Sequence, residues 1–199
     1  LAKKQADYPA EVARDVDLLA KLAELKLVAV YVSVATLDGR VARTLEPRAA
    51  APWRRLDAIR TLAGAGVPVG VSLAPVIPFI TDDHIERVLE AAKDAGARAA
   101  FYTMLRLPWE VKDVFSDWLD AHFPDRKARV LHCLEDLRGG KLNDARFGSR
   151  MRGQGIWADL VAQRFGRAAR RHGLADRRIE LETGLFRPPA REPGCVRSE

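Results

Sequence analysis

Polar residues and prolines follow three apolar runs of the chain at similar intervals. Residues 33–38 contain Ser33 and Thr36, residues 74–78 contain two prolines, and residues 105–108 contain Arg106. Each segment precedes a stretch with helical periodicity. Because parallel strands bring the loops that follow them to one edge of a sheet, where ligands bind, we expect these loops to form one site.

The elements that must position these loops alternate strictly between helix and strand. The apolar spacing predicts three strands, over 27–34, 67–74 and 97–105. It predicts four helices: one capped by Asp15, one from Pro52, one capped by Thr81 or Asp82, and one over 109–122. Asp38-Gly39 is predicted to form a turn, and Pro75 to end the second strand. This order predicts an α/β fold with parallel strands and right-handed crossovers. Three strands alone would leave a sheet edge and a face uncovered, so we expect further strands before residue 1.

The pattern changes after Pro124. Residues 129–137 fit a strand or a short helix, residues 138–155 are rich in glycine and arginine, and residues 156–172 fit a helix. We therefore predict three regions: strand-helix units over 1–126, a basic and mainly helical extension over 127–187, and a disordered tail over 188–199.

Composition excludes several classes of protein. The chain has 199 residues, 48% hydrophobic and 30% charged, with no apolar stretch long enough for a membrane span. Its start has no apolar segment typical of a signal peptide. Cys133 and Cys195 lie far apart, which argues against a structural zinc site or a disulfide framework. We expect a cytoplasmic protein without a membrane partner, with Cys133 as a buried small hydrophobe.

The net charge of +6 comes mostly from arginine and grows denser toward the C-terminus. The arginines concerned follow one another on the last predicted helix and its exit: Arg164, Arg167, Arg170, Arg171, Arg177 and Arg178. Arginine forks bind phosphate oxygens, so a nucleic-acid contact is one interpretation. A solvated helix face is the other, and we favour it.

A succession of short motifs carries a resemblance to a known family. Its members here are Ser33 with residues 36–38, then 46–48, 54–59, 65–71, 74–78, 105–108, 110–112, 123–126, 138–140 and 150–153. Their order over residues 14–189 resembles the radical S-adenosylmethionine (SAM) proteins of the spore photoproduct lyase-like branch. Within that branch the chain is similar to bacterial members without an assigned reaction.

This resemblance implies an enzyme, and it implies that the chain is the C-terminal half of a partial (β/α)6 barrel. Such barrels hold a [4Fe-4S] cluster and SAM at their carboxyl mouth, and an electron donor such as flavodoxin or ferredoxin starts radical chemistry on a substrate, which is unknown here. Three cysteines of one loop bind the cluster in these proteins, and this chain lacks that loop. Either an N-terminal half was lost, which the start at Leu1 favours, or the chain is a degenerate remnant. We expect the isolated chain to be inactive and to contain no metal ligands.

By the same resemblance, five residues are candidates for cofactor binding. Ser33, extended by Thr36, would bind the ribose or amino-acid end of SAM, or its hydroxyl would instead tie down the following turn. The main chain at Ala74 would contact the edge of the adenine base, and this role is compatible with Ala74 simply lying at the end of a strand. Catalytic residues stay unknown.

The two charged candidates have structural alternatives. Arg48 would bind the carboxylate of SAM or an anionic substrate, or would pair with Glu46, which could alternatively cap a helix. Arg106 follows the third strand and is the better anion candidate; its alternative is an ion pair with Glu110 or Asp113.

Other side chains are assigned structural roles. We expect His84 and His122 to be solvated, and the tryptophans Trp109, Trp118 and Trp157 to pack. Two further functions stay open beside the enzyme: a basic nucleic-acid-binding module, and a non-catalytic remnant or partner subunit completed by another chain.

Overall fold

A computed structural model describes residues 14–140, 149–174, 179–185 and 187. In chain order, the elements are α1 (Val16–Glu24), β1 (Val30–Ser33), α2 (Gly39–Leu45), α3 (Pro52–Gly64), β2 (Val69–Val76), a 3-10 turn (Asp82–His84), α4 (Ile85–Asp94), β3 (Ala99–Met104), α5 (Val111–His122), α6 (Pro124–Asp136), α7 (Ser149–Arg152) and α8 (Ile156–Arg171). None of the helices in these ranges is long and apolar enough to cross a membrane.

The three strands form one parallel sheet in the order β1-β2-β3. Ser33 of β1 is in register with Ser72 of β2, and Gly70 of β2 is in register with Ala99 of β3. The predicted α/β class and the parallel direction of the strands are therefore confirmed. Closure into a barrel and the division into three regions stay predictions.

One face of the sheet is apolar and covered by helices. Val69, Val71 and Leu73 of β2 are at most 2% exposed and belong to the same core as Leu62 of α3 and Leu89 of α4. Because side chains alternate along a strand, these residues share a face, and the residues between them point to the other face.

The second face carries small and polar side chains beneath two aromatic rings. Tyr31 and Phe101 are 42% and 44% exposed, and their ring centroids lie 5.3 Å apart across the middle strand. Glycine is required at position 70, because a Cβ there would lie 2.3 Å from Cε1 of Tyr31 and 3.0 Å from the carbonyl oxygen of Ala99.

The second strand differs from its prediction because it continues through Pro75 to Val76. Pro75 has no N–H to donate, and the register shifts between Leu73 and Val76 before pairing resumes at Val76 and Met104. The peptide bond between Ala74 and Pro75 is cis. The proline therefore interrupts the ladder without ending the strand.

Helices α2 and α6 differ from what the sequence predicted. Helix α2 occupies the predicted turn, because the Asp38 carboxylate accepts from the N–H groups of Arg40 and Val41 and caps the helix N-terminus; these bonds lower the pKa of Asp38. Helix α6 begins at Pro124, a residue suited to a first helical turn. Residues 129–137, left open between strand and helix, thus continue α6 to Asp136.

Some predicted caps and packing roles were wrong. Asp15 precedes α1 but makes no capping bond, because its carboxylate pairs with Arg14. Trp109 is 86% exposed, whereas Trp118 packs and donates from Nε1 to the carbonyl of Thr44 at 2.9 Å. Trp157 also packs, 4.7 Å from the ring of Phe79. His122 is exposed, as predicted.

The C-terminal helix packs against α4 through an ion pair. Arg164 donates two hydrogen bonds to the Glu86 carboxylate, at 2.9 and 2.8 Å. Arg164 is therefore removed from the free basic surface predicted for this helix, while Arg167, Arg170 and Arg171 are exposed. The described part of the chain does not include Arg177 and Arg178, the last two arginines of the basic series, or the tail over 188–199.

We predict that Gly70→Ala destabilises the protein by about 1–3 kcal/mol, because the added methyl group displaces the Tyr31 ring and meets a main-chain oxygen. Urea unfolding measures this change. Gly64→Ala is the control, since nothing lies within 4 Å of a Cβ at that position. Equal stability of Gly70→Ala and the wild type would contradict the close packing of the Tyr31 ring and the Ala99 carbonyl against position 70.

Candidate functional site

The carboxyl ends of β1 and β2 are joined by a side-chain hydrogen bond. The Ser33 hydroxyl donates to the carbonyl oxygen of Ala74 at 3.0 Å. Two of the predicted site residues therefore lie together, and the Ser33 hydroxyl binds the neighbouring strand instead of the turn that follows. Their contact with a cofactor stays a prediction.

A second, buried link joins the loops that follow these strands. The Thr36 hydroxyl is hydrogen-bonded to Nδ1 of His84, and the two residues are 2% and 6% exposed. The Asp38 N–H donates to Thr36 Oγ1 at 2.9 Å, so the hydroxyl proton of Thr36 is free to donate to the imidazole. His84 Nε2 lies 3.3 Å from a carboxylate oxygen of Asp83.

His84 was expected to be solvated, and this was wrong. The 3-10 turn that precedes α4 directs the ring inward, toward a residue 48 positions earlier in the chain. A contact over this separation leaves no periodic signal in the sequence.

Thr81 shapes the loop after β2 instead of capping the next helix. Its hydroxyl accepts from the Ile77 N–H at 2.8 Å and donates to the Pro75 carbonyl at 3.2 Å. Neither Thr81 nor Asp82 makes the capping bond that the sequence predicted. Both hydrogen-bonding directions of the Thr81 hydroxyl are used within this loop.

Arg55 of α3 organises the loop between β1 and α3. Its guanidinium donates to the Ser33 carbonyl at 2.9 Å, the Ala50 carbonyl at 2.9 Å and the Glu46 carboxylate at 2.8 Å. Glu46 thus pairs with Arg55 and not with Arg48, contrary to the structural alternative drawn from the sequence. Arg48 is exposed and has no ion pair with any residue in the described ranges.

Arg106 follows β3 at the same edge of the sheet. It is half-buried, and its Nε has no hydrogen-bond partner among the described residues. The structural alternative for Arg106, an ion pair with Glu110 or Asp113, does not form there. Arg138, which is 2% exposed and was not singled out from the sequence, donates to the Leu105 carbonyl at 3.0 Å and holds this loop.

The structure links some of the predicted site residues by hydrogen bonds and leaves others unlinked. Ser33 and Ala74 are bonded to each other, and Thr36 is fixed in the adjoining loop. Within the described residues, no hydrogen bond links Arg48 or Arg106 to these three. Both arginines are nonetheless cations on loops that follow strands of the sheet, β1 and β3 respectively.

Iron-sulfur ligands are not found in the described part of the chain. Cys133 lies in α6, is 8% exposed, and burial raises the pKa of its thiol to about 11. A cluster requires several converging thiolates, and no group of three histidines, cysteines or carboxylates among the described residues could hold a metal ion. Cys195 lies outside the described residues.

A cleft of about 360 Å³ adjoins the loop after β2, lined by Phe79, Asp82, Asp83, Asp125, Arg126 and Arg129. Asp82 is only 6% exposed, and its Oδ1 has no partner among the described residues. Burial, aided by the charge of Asp83, raises the pKa of the Asp82 carboxyl. Arg129 stacks on the Phe79 ring, with its guanidinium carbon 3.8 Å from the centroid.

Comparison with protein families shows that the model of the radical SAM superfamily matches residues 9–92. The matched range contains β1, β2 and the links made by Ser33, Thr36 and Arg55. This match indicates SAM-dependent radical chemistry for the family concerned. No solved structure matches the chain.

Relatives of the chain are found in bacteria and in a virus. An uncharacterised protein of Mycobacterium tuberculosis, and another of Mycobacterium bovis, are each 32% identical over 118 residues, which cover 58% of this chain and 35% of the relative. An uncharacterised protein of Acidianus two-tailed virus is 34% identical over 99 residues, covering 47% of this chain and 32% of the viral protein. The chain thus spans about a third of the length of these relatives.

We expect Thr36→Val to lower the free energy of unfolding by about 1–3 kcal/mol, because it leaves His84 and the Asp38 N–H without their buried partner. Thr36→Ser, which keeps the hydroxyl, is the control and should lose less. Urea unfolding compares the variants. A valine variant as stable as the serine variant would contradict the buried link.

Asp82 is expected to make stability depend on pH. Because its pKa is raised in the folded protein, the folded state binds the proton more tightly, and stability falls as the pH rises through the folded pKa. Asp82→Asn removes this loss, so the variant should gain stability relative to the wild type as the pH rises above the ordinary pKa of an aspartate side chain. Thermal unfolding at several pH values measures the difference, and a pH-independent difference would contradict the shift.

Proposed function

We propose that this chain is the SAM-binding portion of a radical SAM enzyme of the spore photoproduct lyase-like branch, acting on a substrate still to be identified. The observation that carries the proposal is the coincidence of two ranges. The superfamily model matches residues 9–92, and the side chains that link the loops after β1 and β2 fall in the same part of the chain.

The residues present fit a cofactor of this kind. SAM offers ribose hydroxyls, an adenine edge, an amino group and a carboxylate. Ser33 supplies a half-buried hydroxyl oxygen beside the sheet edge, while the buried Thr36 holds the adjoining loop through its bond to His84. Ala74 is a half-buried residue with a small side chain where the main chain can approach a base. Arg48 and Arg106 supply guanidinium groups for the carboxylate, with no ion pair among the described residues to compete.

The residues present do not fit the [4Fe-4S] cluster, so a further segment must supply its ligands. That segment lies upstream in the same polypeptide or on a partner chain. The complete enzyme works in a reducing cytoplasm, where a flavodoxin or ferredoxin is its electron donor. A cluster held by that segment would supply the one-electron chemistry of the complete enzyme. The residues of this chain bind and orient SAM, and the chain alone is inactive.

The half-exposed face of the sheet supports a barrel. Tyr31 and Phe101 lie on the face opposite the helices, together with Ser33, Ser72 and Ala74. In a (β/α) barrel this face lines the interior and helices cover the other face. Strands contributed by the segment that binds the cluster would cover the two rings.

A second candidate is nucleic-acid binding by α8. Arg167, Arg170 and Arg171 are exposed and spaced for one side of a helix, which suits contacts with phosphates. This surface lies outside the range matched by the superfamily model. An oligonucleotide affinity that falls steeply with salt would support it, and an affinity independent of salt would count against it.

We predict that the chain binds S-adenosylhomocysteine, a stable analogue of SAM, and that Arg106→Ala weakens this binding about tenfold by removing a charge-assisted hydrogen bond. Isothermal titration calorimetry measures both. Arg167→Ala on α8 is the control and should bind as the wild type does. Absence of binding by the wild type, or equal affinity of the Arg106 variant, would contradict the proposed site.

A further inference from the structure

The side chain of Arg55 is 11% exposed, and its role is visible only in the folded structure. Its three acceptors lie in different parts of the chain: the end of β1 at Ser33, the residue that follows α2 at Glu46, and the loop before α3 at Ala50. A planar guanidinium can serve such divergent acceptors at once, whereas the compact ammonium of a lysine cannot. We call Arg55 with these three residues the Arg55 clamp.

Two of the acceptors bracket Arg48. Glu46 and Ala50 lie two residues before and two residues after Arg48, and the Ala49 N–H donates to the Glu46 carbonyl at 3.0 Å to close the turn between them. The third acceptor, Ser33, is the residue that binds Ala74. One side chain therefore fixes the turn that carries Arg48 relative to the linked ends of β1 and β2.

The charges in this turn favour an anion at Arg48. Glu46 and Arg55 form an ion pair at 2.8 Å, so their charges largely cancel at a distance. Arg48 is left as the cation of the turn without an ion pair to any described residue, and it is exposed to an incoming ligand.

We infer that Arg55 is a positioning residue, which sets the place of Arg48 relative to Ser33, and that Arg48 binds the carboxylate of the ligand. This inference rests on the function proposed above and assigns the amino-acid end of SAM to this turn. Each guanidinium nitrogen of Arg55 donates one hydrogen bond within the protein and its side chain is 11% exposed, so we assign the direct ligand contact to Arg48.

Calorimetry with two ligands tests the inference on the 199-residue chain. S-adenosylhomocysteine carries the carboxylate, and 5′-methylthioadenosine lacks the whole amino-acid end. We expect Arg48→Ala and Arg55→Lys each to weaken S-adenosylhomocysteine binding about tenfold and to leave 5′-methylthioadenosine binding unchanged. The double variant should bind no more weakly than Arg48→Ala, because both changes act through one contact. Arg60→Ala is the control, since Arg60 lies on the same helix and pairs, among the described residues, with exposed Asp57 alone.

Amide hydrogen exchange gives a readout that needs no ligand. Arg55→Lys should speed exchange at Ala49 and leave the amides of β2 and β3 as in the wild type. If Arg55→Lys fails to fold, Glu46→Gln replaces it, because the Glu46 side chain is 34% exposed and its loss is tolerated more easily.

The outcomes separate the two proposals. A wild type that binds neither ligand refutes the SAM site, and exchange at Ala49 then decides the Arg55 clamp alone. A folded Arg55→Lys that binds S-adenosylhomocysteine as tightly as the wild type overturns the positioning role. Additive losses in the double variant, or unchanged exchange at Ala49, also overturn it.

Discussion

Polar main-chain groups at the end of a parallel sheet must find partners once the strands stop pairing, and this requirement governs the structure described here. At the carboxyl edge the carbonyls of Ser33 and Ala74 are bonded by side chains, from Arg55 and Ser33 respectively. Unpaired buried groups of this kind would each cost about 1–3 kcal/mol. The bonds that satisfy these carbonyls also fix the loops in which a ligand would be held.

The two faces of the sheet have separate roles. Valine and leucine side chains of β2 pack under α3 and α4 and supply the apolar burial that stabilises the fold. The opposite face keeps Gly70 and Ser72 beneath the rings of Tyr31 and Phe101 and offers little apolar volume of its own. The packed layer thus stabilises the fold, and the polar residues at the edge of the sheet are available for binding.

Local patterns in the sequence were sufficient for the fold class but not for the links within the site. Continuous apolar runs and helical spacing predicted the parallel strands and the helices from Pro52 and Ile156, because burial imposes those periods. The capped helix at Asp38 was taken for a turn, since Asp-Gly suits both. The partners of Thr36, Glu46 and Arg138 could not be predicted, because those contacts depend on tertiary geometry and leave no regular spacing.

The candidate site was predicted in outline for a similar reason. Strand ends can be recognised from the sequence, which therefore predicts that Ser33, Ala74 and Arg106 lie at one edge of the sheet. Arg55 and His84 were missed because each lies on a helix or a helical turn and reaches the edge through its side chain.

We propose that the linked loops after β1 and β2, together with the loop after β3, bind SAM. Two-dimensional ¹⁵N NMR of the chain titrated with S-adenosylhomocysteine examines each of these loops separately, because each amide reports its own environment. We expect chemical-shift changes confined to residues 33–38, 46–50, 74–81 and 105–107. Shifts centred on α8 or on the amino ends of the strands, or no shifts at all, would contradict it.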